Sequence, residues 1–366
     1  MGIRSCATAI AAAFVVLLAG CAHGPFDNVE RVPQYRVDPL WLKALPENWI
    51  FGQVTSVAVD RRDHVWVLHR PLTLLDDEKG ALQNPPTNRC CRPAPAVMEF
   101  DPQGNFVQGW GGPGQGYDWP RVEHGIHVDA QDNVWISGND TADHHLLKFT
   151  RDGRFLLQIG KPGKSEGSNS RTQLGRPASI ESDAAANEIY VGDGYGNRRV
   201  IVFDMTTGAY KRHWGAYGAM PDDGKVAAYT PDGPPSKQFG NPHCAKRAHD
   251  GLVYVCDRPN NRIQVFRSDG TFVREFFIER ATLSGPVADL AFSPDRGQRY
   301  LFSADGANSE IYILAREDGR KLGAFGRPGR QAGEFRGVHN IAMDSKGHLY
   351  TAEVGFGRRL QRFTPY

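Results

Sequence analysis

The feature that most constrains the fold is an internal repeat of a strand, a turn and a second strand. Its clearest copies, at 57–67, 126–136 and 341–351, place Asp at the turn and an aromatic residue in the second strand. Third and fourth strands follow in most copies, and four short strands in a unit of about forty residues are typical of a propeller blade. We therefore predict an all-β protein with a six-bladed β-propeller. The six units lie near 54–112, 124–160, 177–214, 242–277, 287–325 and 338–364.

The last unit has three recognisable strands instead of four. A segment within Tyr35–Phe51 is expected to supply the missing strand and to close the ring. A β-sandwich could also be built from many short strands, but it would not explain a recurring unit.

The N-terminus is typical of an export signal. Arg4 precedes a short apolar stretch, Ala9–Leu18, which is too short for a stable membrane anchor. Leu18-Ala19-Gly20-Cys21 resembles a lipobox, so we expect cleavage before Cys21 and a lipid on that residue, whereas the alternative is an ordinary signal peptide. The expected division is a signal peptide at 1–20, a lipidated tether at 21–47 and the propeller at 48–366, outside the cytoplasm on the periplasmic or outer-membrane face.

Cysteine spacing and net charge argue against a thiolate zinc site and against a nucleic-acid partner. Four cysteines remain in the mature chain, and Cys244 and Cys256 fall on neighbouring strands where a bridge is allowed. The C-x-x-C spacing of a thiolate zinc site does not occur in the sequence. With 43 Lys and Arg against 41 Asp and Glu, the net charge of +2 gives no reason to expect a nucleic-acid partner. We expect a monomer.

Three histidines share one position in the repeat. His124, His243 and His339 each lie eleven residues before the aromatic residue of their unit. They belong to blades two, four and six, and inner strands line the axis of a propeller. Three imidazoles are therefore expected to converge on the axis and to bind one metal, with zinc favoured, and three protein ligands leave the open position of a catalytic site.

Three further side chains are expected at the same end of the propeller. Arg70, Tyr195 and Arg258 lie in loops that join the second and third strands of their units. Because adjacent strands are antiparallel, these loops lie beside the start of the inner strand. The metal, a phenol and two guanidiniums are thus predicted to face one cavity.

These motifs resemble the peptidyl-α-hydroxyglycine α-amidating lyase family, whose propeller is of the NHL-repeat type. The resemblance covers residues from about 50 to 364 and rests on short runs around each predicted site residue. The matching runs are Glu123-His124-Gly125-Ile126, Pro242-His243-Cys244, Val338-His339-Asn340, Asp193-Gly194-Tyr195-Gly196-Asn197, Cys256-Asp257-Arg258-Pro259-Asn260 and His69-Arg70-Pro71.

The resemblance implies a zinc-dependent lyase that releases glyoxylate and an amide from an N-acyl-α-hydroxyglycine. Tyr195 would be the base, Arg70 would hold the substrate carboxylate, and Arg258 would serve the acyl side. The resemblance also implies a calcium site built from the carbonyls of Val57 and Ile126, but Asn340 stands where the family has Asp, which weighs against calcium.

No hydroxylase domain accompanies the predicted propeller, so a separate enzyme would have to make the substrate. Two alternative functions remain: a propeller metallohydrolase acting on an ester or lactone, and a non-catalytic NHL-repeat interaction protein of the cell envelope. Neither the acyl group nor the physiological substrate follows from the sequence.

Overall fold

The computed structural model of the protein describes residues 1–2 and 32–366. Within these residues the chain forms six four-stranded antiparallel sheets and one short two-stranded pairing. The predicted all-β, six-bladed propeller is confirmed. The predicted signal peptide and Cys21 lie outside the described residues. Over the described ranges, no helix has both the length and the apolar character needed to cross a bilayer.

The strands of the first three blades follow chain order. Before blade one come β1 (Tyr35–Asp38) and β2 (Trp49–Ile50). Then follow β3 (Gln53–Val59), β4 (Val65–Arg70), β5 (Arg92–Pro93), β6 (Val97–Phe100) and β7 (Phe106–Trp110), of which β5 pairs with β2 and the others form blade one. Blade two contains β8 (Glu123–Val128), β9 (Val134–Gly138), β10 (His145–Phe149) and β11 (Phe155–Gly160). Blade three contains β12 (Ser179–Asp183), β13 (Glu188–Asp193), β14 (Arg199–Asp204) and β15 (Tyr210–Trp214).

The other three blades repeat this arrangement. Blade four contains β16 (Pro242–Arg247), β17 (Val253–Asp257), β18 (Arg262–Phe266) and β19 (Phe272–Phe277). Blade five contains β20 (Asp289–Phe292), β21 (Tyr300–Asp305), β22 (Glu310–Ala315) and β23 (Lys321–Phe325). Blade six contains β24 (Val338–Met343), β25 (Leu349–Glu353) and β26 (Leu360–Pro365). Short 3₁₀ helices span Pro46–Asn48, Pro71–Thr73, Asp77–Leu82, Ala216–Gly218 and Arg258–Asn260.

The ring is closed by the N-terminal strand. β1 pairs antiparallel with β26, with Tyr35 opposite Pro365 and Asp38 opposite Arg362, and so completes blade six. The strand expected within Tyr35–Phe51 is therefore confirmed. One boundary needs correction: the tether was expected to reach residue 47, but the propeller already begins at Tyr35, because blade six needs this strand to cover its outer edge.

The aromatic residue of each unit holds neighbouring blades together. Trp135 of blade two is fully buried and packs with Ile180 and Ile189 of blade three. Tyr190 of blade three packs in the same way against Ala245 of blade four. Inner strands are consequently buried on both faces, and burial of this kind stabilises by about 25 cal/mol per Å² of apolar surface. The recurring aromatic position is thus a packing feature that brings six inner strands around one axis.

A disulfide and an ion pair further stabilise blades that carry predicted site residues. Cys244 and Cys256 are directly opposite each other on β16 and β17, and their sulfurs are bonded at 2.02 Å. The insertion between β4 and β6 reaches blade six, where Glu78 and Arg358 form an ion pair at 2.6 Å. Blade four is therefore cross-linked beside His243, and the ends of the ring are bridged on the loop side.

Candidate metal centre

Each of the three predicted histidines is the extra residue of a β-bulge. The pairing register of the inner strand shifts around His124, His243 and His339, so that each stands unpaired between its neighbours. A bulge re-aims the side chain of the inserted residue. In blade one the same shift falls on Thr55, the position that matches the histidines in the repeat. The bulges therefore turn three imidazoles out of their sheets and toward the axis.

The three imidazoles are brought together and are buried. Their ring centroids are 5.2 Å apart for His124 and His243, 4.8 Å for His124 and His339, and 4.9 Å for His243 and His339. One nitrogen from each ring lies within 4.8 Å of the other two. The convergence predicted from the repeat is thus present in the fold.

Backbone carbonyls of the intervening blades orient the rings. Nδ1 of His124 donates to Ala178 O at 2.8 Å, and Nδ1 of His243 donates to Ala288 O at 2.6 Å. Nδ1 of His339 donates to Thr55 O at 2.8 Å. Because Nδ1 carries the proton in each ring, the lone pair of Nε2 is left to face the axis.

The electrostatics of the site suit a metal ion. Burial and the neighbouring imidazoles hold the pKa of His124 and His243 well below the usual histidine value, and burial lowers the pKa of His339 to about 3. All three rings are therefore neutral near pH 7, as metal ligands must be. Three convergent, deprotonated Nε2 atoms with oriented rings fit a transition metal that keeps an open coordination position.

Tyr195 lies directly against the three histidines. Its phenolic oxygen is 3.0 Å from Nε2 of His124 and 3.0 Å from Nε2 of His243, and its side chain is half-buried. Burial raises the pKa of Tyr195, while the guanidiniums of Arg258, Arg70 and Arg176 act in the opposite direction. In the protein alone, burial outweighs the three arginines, and the pKa of Tyr195 lies above its ordinary value.

Buried ion pairs hold the loops that carry Tyr195 and Arg258. Asp193 accepts from Nε of Arg199 at 2.9 Å, and Asp257 accepts from Nε of Arg262 at 2.8 Å, with all four side chains fully or almost fully buried. Asp193 also accepts from the amide of Asn197. The Asp, Asn and Arg side chains of these two loops are therefore structural, and they leave the loop tips to face the site.

Arg70 and Arg258 flank the site but are held to different degrees. Arg70 donates to Glu123 O at 2.8 Å, to Gln53 Oε1 at 3.1 Å and to Asn139 Oδ1 at 3.2 Å. Arg258 makes one long hydrogen bond, from Nε to Gly285 O at 3.4 Å. Both side chains are half-buried, and both lie close enough to act electrostatically on Tyr195 and His339.

Two residues at the site were not predicted. Asn139 lies beside both Arg70 and Tyr195: its side chain accepts from Arg70 at 3.2 Å and lowers the pKa of the phenol. Arg176 donates to Asn139 O and lies over the ring of Tyr195, 5.5 Å from the centroid. The repeat held a signal for Asn139, because it follows its blade's aromatic residue by four positions, as Arg70 and Arg258 do.

The residues expected for calcium do not fit that ion. The side chain of Asn340 is used internally: Oδ1 accepts from Val57 N at 2.7 Å, and Nδ2 donates to Asp289 at 2.6 Å. The carboxylate of Asp289 also lies 3.5 Å from the ammonium of Lys246. Calcium takes six to eight oxygen ligands, commonly with several carboxylates. At this site the buried carboxylate of Asp289 is already paired with Lys246, and Ile126 adds no charged ligand.

Curated relatives of this chain include lyases of peptide amidation. Peptidyl-alpha-hydroxyglycine alpha-amidating lyase 1 of Drosophila melanogaster is 24% identical over 340 residues, which cover 86% of this chain and 58% of the relative. Lyase 2 of the same organism is 26% identical, with coverages of 88% and 75%. Peptidylglycine alpha-amidating monooxygenase of Rattus norvegicus is 25% identical, with coverages of 83% and 29%. The chain thus spans about half or less of some relatives.

A family model and a solved structure agree on the architecture. The NHL repeat model matches residues 239–266, which lie in blade four. A streptogramin B lyase structure superposes with a TM-score of 0.51 at 11% identity, covering 91% of this chain and 98% of the other, and shows the fold alone. The protein is a six-bladed β-propeller that contains an NHL repeat at residues 239–266 and is similar over most of its length to the peptidyl-α-hydroxyglycine α-amidating lyases.

Proposed function

We propose that this protein is a zinc-dependent carbon–nitrogen lyase that converts an N-acyl-α-hydroxyglycine to an amide and glyoxylate. The observation that carries the proposal is the meeting of three Nε2 atoms with the phenol of Tyr195, 3.0 Å from two of the rings. The distant relationship to the amidating lyases supports the same chemistry.

The balance of the reaction is simple. In R-CO-NH-CH(OH)-COO⁻ the O–H bond and the C–N bond break, a C=O bond forms, and the proton ends on the amide nitrogen. No oxidant or reductant is needed. A bound metal supplies Lewis acidity toward the substrate hydroxyl.

The side chains around the metal centre have separate tasks. Tyr195 accepts the hydroxyl proton and returns it to the leaving nitrogen, which is general acid–base catalysis. The guanidiniums beside it bind the carboxylate and stabilise negative charge as it develops. Arg70 is held by three hydrogen bonds, whereas Arg258 has its terminal nitrogens free of partners within the described residues. Arg258 therefore has more free donors for a substrate carboxylate, whereas the guanidinium of Arg70 is held more rigidly.

Substrate reaches the metal from the loop side. The histidines are buried, whereas Tyr195, Arg70 and Arg258 are half-buried. On the opposite side of the imidazoles, the inner strands line a pocket of about 410 Å³ that includes Ile126 and Lys246. Directly beside the imidazoles, however, the axis narrows to a cavity of about 10 Å³, lined by His124, His243, His339 and Lys246 among others. Such a space admits at most about one water molecule. The reaction therefore takes place at the mouth formed by the loops.

We also propose that the mature protein is attached through Cys21 to a membrane outside the cytoplasm and acts there as a monomer. The basis is the lipobox-like sequence that ends at this residue. A separate hydroxylating enzyme supplies the substrate.

The decisive experiment measures glyoxylate release from a synthetic N-acyl-α-hydroxyglycine by purified protein of known metal content. Enzyme-catalysed glyoxylate that His124→Ala fails to produce supports the lyase. Hydrolysis of an ester or lactone without glyoxylate would assign the protein to the metallohydrolases. Absence of both activities at full metal occupancy would favour a non-catalytic propeller.

A further inference from the structure

Arg176 occupies an unusual position beside Tyr195. It lies in the segment before β12, with φ of 61°, a left-handed conformation that is unfavourable for a residue with a side chain. Its Nε and one Nη donate to Asn139 O at 2.9 and 2.7 Å, and the guanidinium lies over the ring of Tyr195. The fold therefore holds this cation against the proposed base at some energetic cost.

The open side of the metal centre is consequently rich in positive charge. Arg70, Arg176 and Arg258 all act on the charge state of Tyr195. They come in succession around the ring, from blade one, from the segment before blade three, and from blade four. A divalent metal would add further positive charge at the same place.

Two carboxylates, those of Glu123 and Asp143, lie close enough to act on the charge of Arg70, and both are engaged by other groups. Glu123 is buried and accepts from Trp119 Nε1 at 2.9 Å. Asp143 accepts from the backbone amides of Arg121, Val122 and Asp140. Neither carboxylate forms an ion pair with any of the three guanidiniums in the described part of the chain. The positive charge of these three guanidiniums therefore favours binding of an anionic ligand.

The substrate of the proposed lyase brings one carboxylate, which a single guanidinium can hold as a fork. Two guanidiniums that act on Tyr195 keep unused donors within the described residues: Arg258 at its terminal nitrogens and Arg176 at its second Nη. A second anionic group matches the second cation.

We infer that the substrate carries a second carboxylate on its acyl part and that Arg176 binds it, so that Arg176 determines specificity. This inference rests on the proposed lyase function and names the substrate class as N-(carboxyacyl)-α-hydroxyglycines. Asn139 is the positioning residue, because its backbone oxygen holds Arg176 while its side chain holds Arg70.

The test compares two substrates that differ only in the terminal group, N-succinyl-α-hydroxyglycine and its neutral succinamoyl analogue. Glyoxylate release by metal-loaded protein should show a kcat/KM roughly tenfold to 100-fold higher for the succinyl substrate, the scale of one charge-assisted hydrogen-bonded pair. Arg176→Gln should bring the two values to within about threefold, mainly by raising KM for the succinyl substrate. Arg171→Gln, which alters an exposed arginine stacked on Tyr210, is the matched control and should keep the preference.

A binding measurement keeps the inference separate from turnover. Calorimetry with the unreactive N-succinylglycine and N-succinamoylglycine should show the same preference in Kd, and Arg176→Gln should abolish it at unchanged metal content. Glyoxylate release with equal kcat/KM for both substrates would overturn the second-anion inference and leave the lyase intact. Release from neither substrate would overturn the lyase proposal, and equal Kd values would then also overturn the role of Arg176.

Discussion

Nδ1 of His339 donates to the carbonyl oxygen of Thr55 at 2.8 Å, although 284 residues separate them in the chain. This bond crosses the junction where blade six meets blade one. The same relation joins His124 to blade three and His243 to blade five. The contacts that join neighbouring blades around the ring therefore also orient the three imidazoles.

Each of His124→Ala, His243→Ala and His339→Ala is expected to lose most of the roughly one equivalent of bound metal. Tight binding needs all three neutral imidazoles, and the two that remain in each variant cannot hold the metal as strongly. Elemental analysis of protein purified without added metal measures this. His127→Ala is the matched control, because His127 lies on the same strand as His124 and bonds Ser182 instead of the centre. Full metal in all three variants would refute the site.

Tyr195→Phe should lower kcat for glyoxylate release by roughly 100-fold or more, the usual scale for a lost general base. The ring and its contact with Arg176 remain, so metal content and folding should be unchanged. Rates are compared at matched metal occupancy. A variant as fast as the wild type would exclude the phenol as the base.

Arg70→Lys should impair turnover although the positive charge is kept. A single ammonium cannot replace three donors aimed at Glu123 O, Gln53 and Asn139 in a fixed plane. We expect kcat/KM to fall by about tenfold or more, since the hydrogen bond between Arg70 and the side chain of Asn139 is lost. Steady-state kinetics of glyoxylate release provide the measurement, and wild-type kcat/KM would show that this network is dispensable.

Addition of calcium, or its removal by a chelator, should leave the denaturant midpoint of wild-type unfolding unchanged. Lys246→Met should destabilise the fold by roughly 3 kcal/mol or more, because it leaves the buried carboxylate of Asp289 without its ammonium. Lys246→Met combined with Asp289→Asn should recover much of that loss. Denaturant unfolding with calcium or with a calcium-selective chelator tests all three proteins. A wild-type midpoint that rises with calcium would show that the axis binds this ion after all.

Cys21→Ser is expected to abolish partitioning of the protein into detergent, because the thiol that would carry the lipid is lost. Phase separation of cell extracts, with blotting of both phases, measures the effect. Cys90→Ser serves as the control and should partition like the wild type. If Cys21→Ser still enters the detergent phase, another anchor must hold the protein.

Much of the site follows from the sequence because its residues recur at fixed distances from a blade's aromatic residue. His124, His243 and His339 are predictable on this basis, as are Arg70 and Arg258, since strand position in a repeat depends on local spacing. Asn139 shares the register of Arg70 and could have been found by the same reasoning. Arg176 could not, because it lies in a connecting segment outside the repeat.

By itself, the sequence determined the all-β class, the number of blades and the position at which three histidines enter the inner strands, all of which depend on neighbours along the chain. Only the tertiary structure decided where those side chains point and what surrounds them. The bulges set the direction of the imidazoles, carbonyls of other blades orient them, and Asn340 turns to Asp289 and Val57. These contacts join residues that are distant in sequence and adjacent only after six sheets pack around one axis.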